Sequence, residues 1–343
     1  MVIWNTLIGL KVFGIKLMVK FIKKNNNKPL IIAEIGNNHE GKISVAKKLI
    51  DLAKKSGADA VKFQTFKTES FIHSSEKKRF NILKKFELSY REFKQLAIYS
   101  KKKKLKFIST PFDFESAKFL NSYVDYFKIS SGDNNFYELI KQILKYKKPI
   151  IISLGFLNFK EIKNLEKFIL KFNRNKNEIF FLHCISSYPT NLKDLNLNVI
   201  KKLKKELRVK IGFSDHSVGI EAPIIAAILG AEIIEKHFTI SKKYSKFRDH
   251  QLSADYEDMK KIVNFIQKID EILGSPKKNI TFFEKKIYPI ARRSIYFKKD
   301  LKKGDKVEKK DLIYLRPFKG NNPNDDVKII GKKINKKAKA GKI

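Results

Sequence analysis

Eight times between residues 29 and 237, a short run rich in Val and Ile closes on polar residues and gives way to a stretch with helical periodicity. The runs are PLIIAEIG (29–36), ADAVKFQT (58–65), LKFISTP (105–111), YFKISSG (126–132), KPIIISLG (148–155), EIFFLHC (178–184), VKIGFSDH (209–216) and AEIIEKH (231–237). Between them lie helical segments such as 43–56, 90–103, 114–121, 135–146, 159–173 and 219–229. A strand reads as a near-continuous apolar run when both its faces are covered, so the pattern predicts parallel strands flanked by helices. Eight repeats over roughly 250 residues is the size of a (β/α)8 TIM barrel. An open doubly wound sheet would carry a Gly-rich phosphate fingerprint after its first strand, and GNNHEGK (36–42) matches that only weakly. The expected fold class is α/β, a (β/α)8 barrel over 28–273.

The flanks read differently. Residues 274–287 have the Gly/Pro break and polarity of a linker. Residues 288–343 then show short strand-like runs around the turn KKGDK (302–306), a piece small enough to need docking for stability. At the other end, residues 1–27 are apolar but interrupted by Lys11 and Lys16, with no small-residue cleavage site. That is neither a membrane span nor a signal peptide. It reads as an N-terminal extension, untranslated or disordered, with Met18 as an alternative start. The formal charge is +39, yet Arg supplies only eight of the 74 basic residues. Nucleic-acid readers lean on Arg for bidentate contacts. The charge therefore reads as a solvated Lys-rich surface, with no nucleic-acid or membrane partner expected. A single cysteine, Cys184, excludes a disulfide framework and fits a reducing cytoplasm.

In a barrel the chemistry sits at the C-terminal strand ends. Taken in order, those ends carry Glu34, Lys62 and Gln64, Ser109 and Thr110, Lys128 with Ser130 and Ser131, and Ser153. The second half adds His183 with Ser186, Ser214 with His216, and Glu235 with His237. Each group alone can be satisfied locally in its own loop. Together they form a convergence of ionisable groups that is costly to bury without a ligand. Two lysines among hydroxyls suit a phosphate, or a phosphate and a carboxylate on one small anion. Two imidazoles, each near an acidic residue, suit a divalent transition metal with positions left for water or substrate oxygen. The residues alone thus point to metal-assisted chemistry on a phosphorylated acid.

Seven ordered motifs sharpen this: IIAEIGNNHEG, GADAVKFQT, FISTPFD, FKISSGDNN, FLHCISSYPT, GFSDHS and IEKHFT. In order and spacing they resemble the N-acetylneuraminate (sialic acid) synthases, including their legionaminic and pseudaminic acid synthase relatives. The resemblance runs from about residue 29 to the C-terminus. It implies condensation of phosphoenolpyruvate with an N-acylated hexosamine and water, giving a nine-carbon 2-keto sugar acid and phosphate. It also implies a divalent metal, manganese in the usual case with magnesium or cobalt as alternatives, and a C-terminal antifreeze-like domain. By motif, His216 and His237 match the metal ligands. Lys62, Thr110, Lys128, Ser131, Ser153 and Ser214 match the groups around phosphoenolpyruvate. Glu34, Gln64, Tyr188 and Asp249 match positions lining the aminosugar, and Glu34 is a candidate acid–base group. Arg316, from an Arg-Pro pair, matches a residue that reaches the partner's site in a domain-swapped homodimer.

Three positions depart from the pattern. Asp133 stands where the family usually has Glu, Ser186 stands for a common Asn, and FRDHQLS (247–253) replaces the usual Gly-Pro-Asp-His. These leave the reaction type intact and bear on which sugar is used.

Overall fold

The computed structural model describes residues 28–172, 175 and 178–342. The expectations for residues 1–27 lie outside the described residues. The chain divides into two compact units, one ending at Gly274 and a second spanning Ser275–Ile343.

The first unit is a closed barrel of eight parallel strands in sequential order. They are β1 (Leu30–Gly36), β2 (Ala60–Thr65), β3 (Lys106–Pro111), β4 (Tyr126–Ile129), β5 (Ile150–Ser153), β6 (Ile179–Cys184), β7 (Lys210–Asp215) and β8 (Ile233–His237). All eight expected strands form, and so do the expected helices, among them Ile43–Ser56, Tyr90–Lys102 and Phe159–Phe172. The two-residue strand period then sorts side chains between two cores. Ile32, Ala60, Ile108, Ile151, Leu182 and Ile233 cluster inside the barrel with Phe180. Their neighbours one residue on, including Ala33, Val61, Ile152 and Ile234, pack against the helices in the larger core. Gly212 belongs to the inner set. A Cβ there would stand 2.6 Å from the Leu182 side chain and 2.7 Å from the Ile233 carbonyl oxygen, so only glycine lets β7 close against its neighbours.

Continuing the same period lifts the chain from an apolar layer to a polar one. Two residues beyond the inner core stand Glu34, Lys62, Thr110, Ser153, Cys184, Ser214 and Glu235, all buried. Lys128 holds the same place two residues after Tyr126 on β4. One side chain per strand thus builds a complete ring at the C-terminal mouth.

The second unit has its own small core of Ile295, Leu301, Val307 and Leu312. Two antiparallel strands, β9 (Ser294–Phe297) and β10 (Leu312–Leu315), cross it. The segment read as a linker is helical from Phe282 to Ala291. The physical cause is a capping box: the Thr281 hydroxyl accepts from the Glu284 backbone while the Glu284 carboxylate accepts from that of Thr281. No helix among the described residues is long and apolar enough to cross a membrane.

Candidate active site at the barrel mouth

The polar ring is organised by charge. Lys62 Nζ lies 2.9 Å from Glu34 Oε2 and 3.4 Å from Glu235 Oε1. Lys128 Nζ lies 3.8 Å from that same Glu235 oxygen, and donates to Ser153 Oγ at 2.7 Å and to the Ile129 carbonyl at 3.1 Å. Ser214 Oγ donates to Glu235 Oε1 at 3.0 Å, whereas Glu235 Oε2 is buried without a hydrogen bond. Four ionisable groups are therefore held together with little water, and their proton affinities diverge. Burial, reinforced by Glu235, outweighs Lys62 and pushes Glu34 up to about 7. Burial also works to raise Glu235, but Lys128 and Lys62 win and hold it below the usual carboxylate value. Burial holds Lys128 below its ordinary value. For Lys62 the burial effect is overcome by Glu235 and Glu34, which raise it.

Next along β7 and β8 come the two histidines, with ring centroids 5.5 Å apart. His216 Nδ1 lies 2.8 Å from the Ile185 carbonyl, which can only accept, so Nδ1 carries a proton. Burial works to lower the proton affinity of the ring, but Cys184, this carbonyl and Asp215 win and raise it. Cys184 Sγ is 3.8 Å from the same nitrogen. Burial, and then the positive neighbours His216 and Lys62, hold His237 neutral, and its Nδ1 is buried without a partner. Two neighbouring imidazoles, one with its Nδ1 tied to a carbonyl and the other with an orphaned ring nitrogen, fit a divalent ion. They would supply two ligands; among the described residues no group of three or more His, Cys, Asp or Glu is arranged to hold a metal. Such an ion would draw its remaining ligands from water or substrate.

A cleft of about 970 Å³ opens above the ring, lined by Gln64, Ser131, Asp133, Ser186, Tyr188, His237 and Asp249 among others. Gln64 Nε2 donates to Glu34 Oε1 at 3.5 Å and its Oε1 accepts from Asn37 at 3.0 Å. Ser131 Oγ accepts from the Gly155 backbone at 3.2 Å, and Ser186 Oγ is buried without a partner. A Cβ on Gly155 would fall 2.2 Å from Ser186 Oγ and 2.6 Å from Ser131 Oγ, so the glycine opens a hydroxyl-lined cradle. Burial raises Asp133, which accepts a short hydrogen bond from Ser130. The Tyr188 ring lies 4.1 Å from that of His216 and 4.8 Å from the Arg248 guanidinium carbon. Arg248 Nε donates to Asp249 Oδ1 at 3.4 Å, and burial nonetheless leaves Asp249 above its ordinary value.

Residues 49–278 match the NeuB family. This chain belongs to the NeuB family. It is 44% identical to an uncharacterised protein of Methanocaldococcus jannaschii, over 84% of this chain and 85% of that one. It is 36% identical to an N,N'-diacetyllegionaminic acid synthase of Campylobacter jejuni, over 92% of this chain and 98% of the relative. Among solved structures, the N-acetylneuraminic acid (sialic acid) synthetase of Leptospira borgpetersenii in complex with citrate superimposes with a TM-score of 0.70. The identity there is 36%, over 76% of this chain and 90% of the other.

On this NeuB-family barrel, two of the strand-end groups expected to converge do not. His183 faces the helical layer, where its Nε2 meets the Leu195 carbonyl at 2.7 Å and its ring stacks with Phe213. Ser109 likewise faces outward, donating to the Phe63 carbonyl and bonding Thr65. Each is one residue out of phase with the inner core, so the converging histidines number two, not three. Arg316 belongs to the second unit, where it is exposed. Glu235, given no role by motif, proves to be the carboxylate shared by both lysines. Its signal was its place two residues after Ile233, in phase with Glu34 after Ile32. Cys184, two residues after Leu182 on β6, shares that phase.

Proposed function

We propose that this NeuB-family chain condenses phosphoenolpyruvate with an N-acyl hexosamine and water, giving a nine-carbon 2-keto sugar acid and phosphate. The observation that carries the reading is the pair Lys62 and Lys128, both buried and both drawn to one Glu235 oxygen beside the Ser131–Ser186–Gly155 cradle. Two ammonium groups and several hydroxyls in a site this dry call for a multiply charged anion. In this reading Lys62, Lys128, Ser131, Ser153, Ser186, Ser214 and Thr110 hold the phosphate and carboxylate of phosphoenolpyruvate. Gln64, Tyr188 and Asp249 line the sugar. Carbon 3 of phosphoenolpyruvate forms the new bond to the aldehyde carbon, and water adds at carbon 2 before phosphate leaves. Glu34, poised near neutrality, is suited to move a proton at the aldehyde oxygen, and Asp133 to accept one from the attacking water. A divalent ion on His216 and His237, manganese by preference, would supply Lewis-acid polarisation of the aldehyde.

The second unit we read as the antifreeze-like domain of a domain-swapped homodimer, with exposed Arg316 offered to the sugar of the partner's site. The free thiol of Cys184 supports a cytoplasmic setting.

For the sugar itself, N-acetylmannosamine-like hexosamines are the first reading. A second is favoured by the apolar wall of the cleft, built from Phe71, Ile72, Phe112, Phe136, Phe156 and Phe247. Such a wall suits a sugar carrying a second acyl group, as the diacetylated product in the name of the Campylobacter jejuni relative does. Phosphate release from phosphoenolpyruvate, measured across a panel of N-acyl hexosamines with manganese, tests both readings. Activity that needs an N-acyl hexosamine and disappears with a strong chelator is expected. Release without any sugar, or full activity in chelator, sinks the proposal.

A further inference from the structure

The residues between the inward-facing pairs on β7 and β8 have no place in the chemistry above. Asp215 sits between Ser214 and His216, and Lys236 between Glu235 and His237. The strand period turns both outward, toward a layer whose neighbours are Phe213, Ile234 and Phe238. There they form an ion pair of 2.6 Å with side chains essentially without solvent exposure. Each of its charged atoms has a partner. Asp215 Oδ1 accepts from the Ser217 backbone at 2.9 Å and from its hydroxyl at 2.7 Å, and Lys236 Nζ also donates to the Ser217 carbonyl at 2.7 Å. The two residues are direct partners in the β7–β8 register. Ser217 in turn bridges to Thr190, whose backbone donates to the His216 carbonyl at 3.0 Å.

A buried ion pair in an apolar layer is a poor way to gain stability, because apolar residues of similar volume do as well or better. What it does supply is geometry. An ammonium held between a carboxylate and a carbonyl tolerates little slip, and a one-residue slip would turn His237 out of the barrel. We propose that Asp215, Lys236 and Ser217 form a strut on the outside of the barrel that sets the separation and orientation of His216 and His237, and through them affinity for the divalent ion. These are positioning residues; none touches substrate or metal. The inference rests on the reading of the two histidines as metal ligands.

The test uses the full chain carrying Asp215→Asn together with Lys236→Met. This double variant leaves no unpaired buried charge, and the Asn oxygen keeps the Ser217 turn. It is expected to stay folded with a Tm near that of the parent, while manganese affinity measured by calorimetry falls about ten- to a hundredfold. Turnover should return at saturating manganese, with phosphoenolpyruvate KM unchanged. Parental manganese affinity in a folded double variant overturns the strut. Histidine ring NMR of the metal-free protein is the second readout, and it serves if the double variant is poorly stable or the parent itself binds no manganese. In the milder single variant Ser217→Ala, which keeps the ion pair and removes one hydroxyl donor to Asp215, and in the double, the His216 and His237 signals should move or broaden. Unmoved signals overturn the proposal independently of the metal reading. A parent that fails to bind manganese overturns the metal reading alone.

Discussion

Inside the barrel two layers lie one strand period apart, and they obey opposite rules. The lower one, Ile32, Ala60, Ile108, Ile151, Leu182 and Ile233, is wholly apolar and as tightly filled as Gly212 requires. The ring above it carries two lysines, two carboxylates, hydroxyls and a thiol at almost the same burial. Burial alone therefore does not make a core. The lower layer gains from losing water, while the upper one forfeits solvation for four charges and recovers it only in part through Ser153, Ser214 and mutual attraction. The contrast separates the part of the interior that holds the fold from the part held ready for a ligand.

Substitutions that respect volume should break this comparison cleanly if it is wrong. Lys128→Met removes one of the two ammonium groups proposed to hold the anion, and kcat/KM for phosphoenolpyruvate should drop by about a hundred- to a thousandfold. Since burial disfavours that ammonium, the unfolding temperature of the unliganded protein should hold or rise. A large loss of Tm with activity intact would reverse the assignment of the upper layer. Glu34→Gln probes the same ring through pH. With Glu34 titrating at about 7, its carboxylate form grows roughly tenfold between pH 6 and 8. Because the aldehyde oxygen gains a proton as it becomes a hydroxyl, the acid form of Glu34 is the active one, and a kcat/KM limb falling through that window is expected in the parent and absent in the variant. The raised value also means the native state holds that proton more tightly than the unfolded chain. This group's contribution to stability therefore falls as pH rises from its ordinary value through about 7. Smallest is Ile151→Val in the lower layer, expected to lower stability by about 0.5–1.5 kcal/mol while leaving kcat/KM unchanged. A change in kcat/KM there would show that the two layers are not separable.

The sequence made the barrel legible because strand period, apolar runs and helix spacing all recur eight times. It made most of the ring legible too, since Glu34, Lys62, Lys128, Ser153 and Ser214 close their strands. The phase of each strand was harder to read. In FLHC, His183 and Cys184 are adjacent, and only packing against Leu195 and Phe213 shows which one faces out. Bridging was invisible for a related reason: Glu235 meets Lys62 and Lys128 across the barrel, at separations that no local pattern encodes. The helix Lys77–Phe86, which brings Ile82 and Leu83 to the cleft, lies in the β2 crossover among so many lysines that its apolar face was obscured.

The lysines of the ring already lean on carboxylates of their own chain, and this makes the site its own first competitor. In a protein of formal charge +39, ambient anions crowd every exposed ammonium. Chloride or acetate, with a single charge, would gain little by displacing Glu34 and Glu235, which already draw on Lys62 and, for Glu235, on Lys128. An anion bearing phosphate and carboxylate together offers each lysine a replacement at once. On the proposed reading, the internal ion pairs would act as a threshold, disfavouring common salts and admitting a multiply charged substrate.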